Sequence, residues 1–230
     1  MSSWAVAGAG LLAGSLAYGV YQPNSLLFGP VIRRGSRRSA VYLTLDDGPN
    51  PGVTARVLDI LAEHRVPAAF FMVGRYAECF PDLVLRAARE GHLIGNHTQH
   101  HAKLHRLGLR GVRAELARAH EVLSDITGTA PRAFRAPHGY RTPLVTLAAA
   151  ELGYRVFGWT FGVWDSACPG ADRIRERVRA RLASGAILLL HDGDGYAIPG
   201  NRAQTAAALP GIIRDARAAG LEFRPPGELL

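Results

Sequence analysis

The sequence predicts an α/β fold, a parallel sheet curled into an incomplete (β/α) barrel and preceded by one N-terminal hydrophobic helix. Three observations point to it. Short apolar runs alternate with amphipathic segments from residue 40 to the C-terminus, the pattern of parallel strands joined by helical crossovers. Glycines stand where the helices should stop. Residues able to do chemistry recur at the C-terminal ends of several apolar runs, where α/β folds bind ligands, and this favours a barrel over an open sheet.

The elements follow in order. Strands are expected at 41–45, 68–73, 93–95, 133–135, 155–161, 186–190 and 221–223. Each is a run of β-branched, aliphatic or aromatic residues stopped by turn residues. Helices are expected at 54–64, 81–90, 110–126, 143–152, 171–183 and 203–219. Gly91, Gly128, Gly153, Gly185 and Gly220 fall at their ends. Before this alternation the chain is different. Residues 1–32 carry no charged side chain, and residues 4–21 form an 18-residue run chiefly of Ala, Gly, Leu and Val. That is just long enough to enter or span a bilayer. A cleavable signal peptide ending near Ala17 and a buried N-terminal helix are the competing readings. No basic residue precedes the run and four arginines follow it, so the positive-inside rule would put the rest of the chain in the cytoplasm. The chain thus divides into a hydrophobic segment, 1–21, expected to be a membrane anchor or signal, a basic linker, 22–39, and one catalytic domain, 40–230.

Composition narrows the function. The chain has 230 residues, 48% hydrophobic, enough for one well-buried domain. Its net charge is +8; Arg33, Arg34, Arg37 and Arg38 supply four of those charges with no acid before Ala40, so residues 39–230 carry the other +4. No basic stripe interleaved with aromatics follows Arg38, which argues against a nucleic-acid partner. Cys79 and Cys168 lie far apart without C-x-x-C spacing and mark neither a disulfide scaffold nor a structural zinc site.

Four clusters can carry chemistry. Asp46 and Asp47 end the first strand before Gly48-Pro49. Adjacent buried carboxylates repel, so the pair needs a proton, an arginine or a metal cation. His97 and His101, in Gly95-Asn96-His97-Thr98-Gln99-His100-His101, are four apart, and a helical turn would put both imidazoles on one face. His100 offers an alternative spacing. Two histidines and one carboxylate form a common three-ligand catalytic site, with Asp47 the natural third ligand and Asp46 left to take a proton. Arg135, in Phe134-Arg135-Ala136-Pro137-His138-Gly139, would keep a nearby carboxylate ionised; a surface arginine in a turn is the alternative. His191, closing Ile187-Leu188-Leu189-Leu190-His191-Asp192, is a general acid or else a hydrogen-bonded structural histidine.

Together these motifs resemble the polysaccharide deacetylase family, the NodB-homology domain of carbohydrate esterase family 4. Thr44-Leu45-Asp46-Asp47-Gly48-Pro49 follows T-F-D-D-G-P with Leu45 for Phe, and His97-Thr98-Gln99-His100-His101 matches H-[ST]-x-x-H. Arg135-Ala136-Pro137-His138-Gly139 follows R-x-P-[YF]-G with His138 in place of the usual aromatic, and Leu190-His191-Asp192 matches L-H-D. The resemblance implies a distorted (β/α)7 barrel. It also implies metal-assisted hydrolysis of an N-acetyl or, less commonly, O-acetyl group on a cell-surface glycan such as peptidoglycan. By it Asp46 is the base, and Asp47, His97 and His101 hold a divalent metal, usually zinc. Arg135 tunes Asp46, the His138 N–H helps hold the oxyanion, and His191 is the acid. His138, Gly139, Tyr140 and Trp164 would meet substrate. The family's W-x-x-D-x-x-D-W motif is altered: Asp165 is kept and expected to pair with Arg135, while Gly162 and Ser166 replace an Asp and a Trp. An enzyme on such a glycan is expected outside the cytoplasm, secreted or held to the membrane by its N-terminal segment. Two alternatives remain: an amide hydrolase of a lipid-linked sugar, and a carbohydrate-binding protein without activity.

Overall fold

The computed structural model describes residues 3–230, with side chains from Gly10 onward. The first two residues of the expected anchor, and the side chains of residues 3–9, lie outside the described residues. The chain runs α1 (Ser3–Tyr21), β1 (Ala40–Asp46), α2 (Thr54–His64), β2 (Ala68–Met72), α3 (Gly74–Cys79), α4 (Pro81–Arg89), β3 (Leu93–Asn96) and α5 (Leu109–Thr127). It continues β4 (Ala133–Phe134), α6 (Pro143–Glu151), β5 (Arg155–Val156), β6 (Phe161–Gly162), α7 (Ala171–Arg179), β7 (Ala186–His191), α8 (Ala203–Ala218) and β8 (Glu222–Phe223). All strand pairs are parallel, in the order β5-β4-β3-β2-β1-β7-β6, with β8 beside the start of β1. The curled parallel sheet with outer helices is the fold class expected.

Central strands are buried on both faces, which is why they read as unbroken apolar runs. Every residue of β1 and β2 is buried. Along β2, Ala68, Phe70 and Met72 pack outward against the helices, while Ala69 and Phe71 turn inward with Ala133 and Phe157. Truncating Phe70 to Ala would cost about 3–5 kcal/mol from the cavity left behind. Helix α2 shows why the helices cover this sheet: Val57, Leu58, Ile60 and Leu61 form its buried stripe. Helix α5 ends at Gly128, whose left-handed φ of 69° lets its N–H reach Ser124 O at 2.8 Å.

The structure bears on three expectations. The single strand expected at 155–161 is two. Phe157 N–H donates to Phe134 O at one edge of the sheet, whereas Thr160 N–H donates to Ile187 O at the other. The run therefore crosses the seam where the barrel fails to close. Residues 22–39 lie against this seam: Ile32 bridges to Phe157 and Arg34 to Ala186. Arg34 also donates to Ser184 O, so this stretch is bound to the domain along its length. Finally, among the described residues no helix is long and apolar enough to cross a membrane. Helix α1 forms as expected.

Candidate active site

Strand register brings the four clusters together. Asp46 on β1 lies beside His191 on β7, and His97 directly follows β3. The His97 N–H donates to Met72 O at 3.0 Å, which fixes the turn at the strand end. Asp47 Oδ1 then lies 3.0 Å from His101 Nε2 and 3.3 Å from His97 Nε2. One ligand atom from each of these three buried residues falls within 4.8 Å of the others. His97 Nδ1 sits 2.7 Å from Arg135 O. A carbonyl only accepts, so Nδ1 carries the proton and Nε2 presents its lone pair to the cluster. Burial alone would raise the Asp47 pKa, but the His101 and His97 rings beside it, with the His191 charge behind them, outweigh this and hold the carboxyl well below the usual carboxylate range. Two imidazoles and one carboxylate, buried and converging, fit a divalent cation with open positions.

Asp46 is held separately. Arg135, fully buried, donates from Nη1 to Asp46 Oδ1 at 2.6 Å and to Thr44 Oγ1 at 2.9 Å, and from Nη2 to Gly158 O at 2.7 Å. Its guanidinium stacks 4.1 Å above the Phe71 ring. Burial pulls the Arg135 pKa down and the Asp46 charge opposes this. Asp46 Oδ2 is left facing the cluster, 3.9 Å from His97 Nε2.

Asp165 does not pair with Arg135 as expected. Its Oδ1 lies 2.8 Å from His191 Nδ1, and its Oδ2 accepts from the His191 N–H at 2.8 Å and from Thr205 Oγ1 at 3.0 Å. The reason is topological: the turn after β6 packs beside β7, whereas Arg135 follows β4 on the far side of β1. Burial disfavours the His191 cation, but the Asp165 charge and hydrogen bond, with Asp47 and Asp46 behind them, win and raise its pKa to about 9. Asp192 turns away from the cluster and accepts from Thr54 Oγ1 at 2.5 Å. Burial, against the Thr54 bond and with the Asp47 charge adding to it, raises its pKa to about 7.

Asp46, Asp47, His97, His101 and His191 form the floor of a cleft of about 830 Å³. His138, Gly139, Tyr140 and Trp164 all line it, and Trp164 is 74% exposed. Burial and the neighbouring His101 lower the His138 pKa to about 4, and its Nε2 meets Tyr196 OH at 2.8 Å. The backbone is held in left-handed conformations at Asp47, Thr98, His101, His138 and Trp164, a concentration typical of functional sites. Tyr21, Asn24 and Tyr196 are among the cleft residues that escaped the sequence reading. Only the Asp-Gly-Tyr turn after His191-Asp192-Gly193 hinted at Tyr196. Its loop closes on the histidines: a Cβ on Gly195 would lie 2.4 Å from His101 Nδ1. His105 packs edge-on to Tyr21 and Tyr140.

A parallel, curled sheet whose strand ends combine a His–His–Asp triplet with a braced carboxylate and a histidine–carboxylate pair is the site of a hydrolase. The polysaccharide deacetylase family model matches residues 33–157, a span that holds both aspartates, both clustered histidines, Arg135 and His138. The chain belongs to this family and is a hydrolase of its kind. It is 40% identical over 200 residues to the chitooligosaccharide deacetylase of Bradyrhizobium sp. (strain ANU 289), covering 83% of this chain and 90% of that protein. It is 33% identical over 186 residues to a peptidoglycan-N-acetylglucosamine deacetylase of Bacillus cereus, covering 81% and 66%. Among solved structures, the Bc1960 peptidoglycan N-acetylglucosamine deacetylase superposes with a TM-score of 0.80 at 30% identity, covering 86% of this chain and 90% of that one. A family pseudoenzyme from Bacillus anthracis superposes at 0.77 with 25% identity, covering 86% and 67%. Fold alone therefore does not decide activity, and the residues on the cleft floor must.

Proposed function

We propose that this protein removes acetyl groups from the N-acetylated sugars of an extracytoplasmic glycan, using Asp46 as base, His191 as acid and a divalent cation, zinc by the donor set, held by Asp47, His97 and His101. The observation that carries this is the division of labour between two adjacent carboxylates: Asp47 is bonded to both histidines, and Asp46 to a buried arginine. Both histidines present Nε2, and the donors are two nitrogens and one carboxylate oxygen, which suits zinc. A cation there supplies Lewis acidity to the acetyl carbonyl and makes a nucleophile from water at neutral pH.

The remaining steps belong to the protein's own groups. Arg135 fixes Asp46 through Oδ1, so Oδ2 accepts the proton of the attacking water. The turn at His138 borders the place where the carbonyl oxygen gains charge, and its backbone N–H is the donor offered there. Asp165 fixes His191 through Nδ1, which leaves Nε2 to protonate the departing sugar amine. His191, with its pKa raised to about 9, carries that proton at neutral pH. The relatives named for chitooligosaccharide and peptidoglycan support N-acetylglucosamine units as the acylated sugar.

Acetate release from N-acetylglucosamine oligomers, lost on chelation and restored by zinc, is the expected result. No release from any acetylated sugar by the zinc-loaded protein would contradict it. One observation favours the second reading, a lipid-linked sugar as substrate: Leu11, Leu12 and Leu16 of α1 are exposed, and α1 ends at the cleft. Deacylation of a polyprenyl-linked sugar with soluble oligomers untouched would decide for it.

A further inference from the structure

We propose that Tyr21, at the end of α1, is a specificity-determining residue that grips a sugar unit beyond the one deacetylated, so that the enzyme reads a glycan chain rather than a single sugar. This rests on the deacetylase reading of the cleft. Tyr21 precedes the span that the family model matches, yet it lines the same cleft as the catalytic floor. An unbroken row of rings joins the two. The His101 and His138 centroids lie 5.0 Å apart, His138 and Tyr140 5.4 Å, and Tyr140 and Tyr21 5.2 Å. Tyr21 is thus three ring-to-ring steps from the cluster, which leaves it binding rather than chemistry. A pyranose presents apolar C–H faces inside a rim of hydroxyls, and rings with an apolar body and a polar tip suit it. Tyr21 is 55% exposed, so its surface is open to such a ligand.

This wall is fixed in place. Asn24 Nδ2 donates to Trp159 O at 2.7 Å, and the Trp159 N–H donates back to Asn24 Oδ1 at 3.3 Å. The Arg141 N–H donates to Val20 O at 3.2 Å, and its buried guanidinium donates to Ser25 O at 2.5 Å. Pro23 packs so closely on the turn beside His138 that a Cβ on Gly139 would lie 2.5 Å from the Pro23 ring. His105 backs both tyrosines, with centroids 5.5 Å from Tyr21 and 5.0 Å from Tyr140. A binding surface built this way loses little freedom on taking up a chain.

The test is calorimetric titration of the full chain carrying Asp46→Asn with N-acetylglucosamine oligomers from monomer to hexamer, with and without Tyr21→Ala. Affinity should rise with length, and Tyr21→Ala should weaken the longest oligomers about five- to tenfold, with the loss shrinking toward the monomer. Tyr21→Leu, which keeps bulk without the ring, should behave like Tyr21→Ala, and Tyr21→Phe like the parent. An equal loss at every length, or no loss, overturns the assignment. If the unmodified enzyme releases no acetate while this length-dependent loss is seen, the subsite stands and the deacetylase reading falls. Acetate release with unaltered Tyr21→Ala binding means the reverse.

Discussion

The floor and the rim of the cleft are built on opposite terms. On the floor, Asp46, Asp47, His97, His101 and Arg135 are buried, and each meets a polar partner among the others or on the surrounding backbone. On the rim, Trp164 and Tyr196 are exposed side chains on turns. The floor positions charge out of water, where pairing is obligatory and misplacement is expensive. The rim meets a substrate that leaves again, so its contacts are adjustable. The contrast explains where this chain departs from the family pattern: Gly162, Ser166 and His138 belong to the rim, and the ligand and base positions to the floor.

The largest effects should come from the floor. His191→Gln removes the proton donor and should lower kcat about 10²–10⁴-fold with little change in KM, read by acetate release. Equal losses in binding and turnover would assign His191 to substrate binding instead. Arg135→Met leaves the Asp46 carboxylate buried without its partner and should cost about 3–5 kcal/mol in denaturant unfolding. A loss below about 1 kcal/mol would mean that Asp46 finds another partner or takes up a proton.

Asp165→Asn sharpens the comparison through pH. His191 has a folded pKa of about 9 against 6.5 in the unfolded chain. A raised pKa contributes stability that is full below the unfolded value and is lost as pH rises through the folded one. Melting temperatures of the metal-free protein should therefore fall between pH 6.5 and 9, and Asp165→Asn should flatten that fall. The alkaline limb of kcat should move to lower pH in the same variant, since His191 must be protonated to act. Asp192 has the same sign between 3.8 and about 7, because burial favours its neutral form. Asp192→Asn should remove that portion of the pH dependence alone.

The rim should respond mildly. Trp164→Ala should raise KM by a few-fold, on the order of 0.5–1.5 kcal/mol, with kcat kept. A collapse of kcat would place Trp164 in the chemistry. Smallest of all, Cys79→Ser and Cys168→Ser should leave melting temperature and activity unchanged under oxidising and reducing conditions, since both thiols are free and exposed.

Much of the floor was legible because strand ends are. Leu43-Thr44-Leu45-Asp46-Asp47 and Leu188-Leu189-Leu190-His191 stop abruptly at Gly, and a parallel sheet carries such stops to one rim. What adjacency in space decides could not be read from the sequence. The Asp165 partner was misassigned because β6 returns beside β7, which no local pattern states. The run at 155–161 looked like one strand because both halves are apolar; only the crossing of the seam divides it. Helix α3, six residues long, is too short to show a period of 3.6. Tyr21 and Asn24 were hidden for a further reason: Gly and Pro around them read as a linker, and their role depends on Trp159 and Tyr140, more than a hundred residues away.

The central claim is that Asp46 and Asp47, neighbours in sequence, do different work. Metal content and acetate release measured side by side for Asp46→Asn and Asp47→Asn test it most directly. The expected result is that Asp46→Asn keeps its bound metal ion and loses about 10²–10⁴-fold in turnover, while Asp47→Asn loses the metal itself. Loss of metal from Asp46→Asn, or full metal retention in Asp47→Asn, would contradict it.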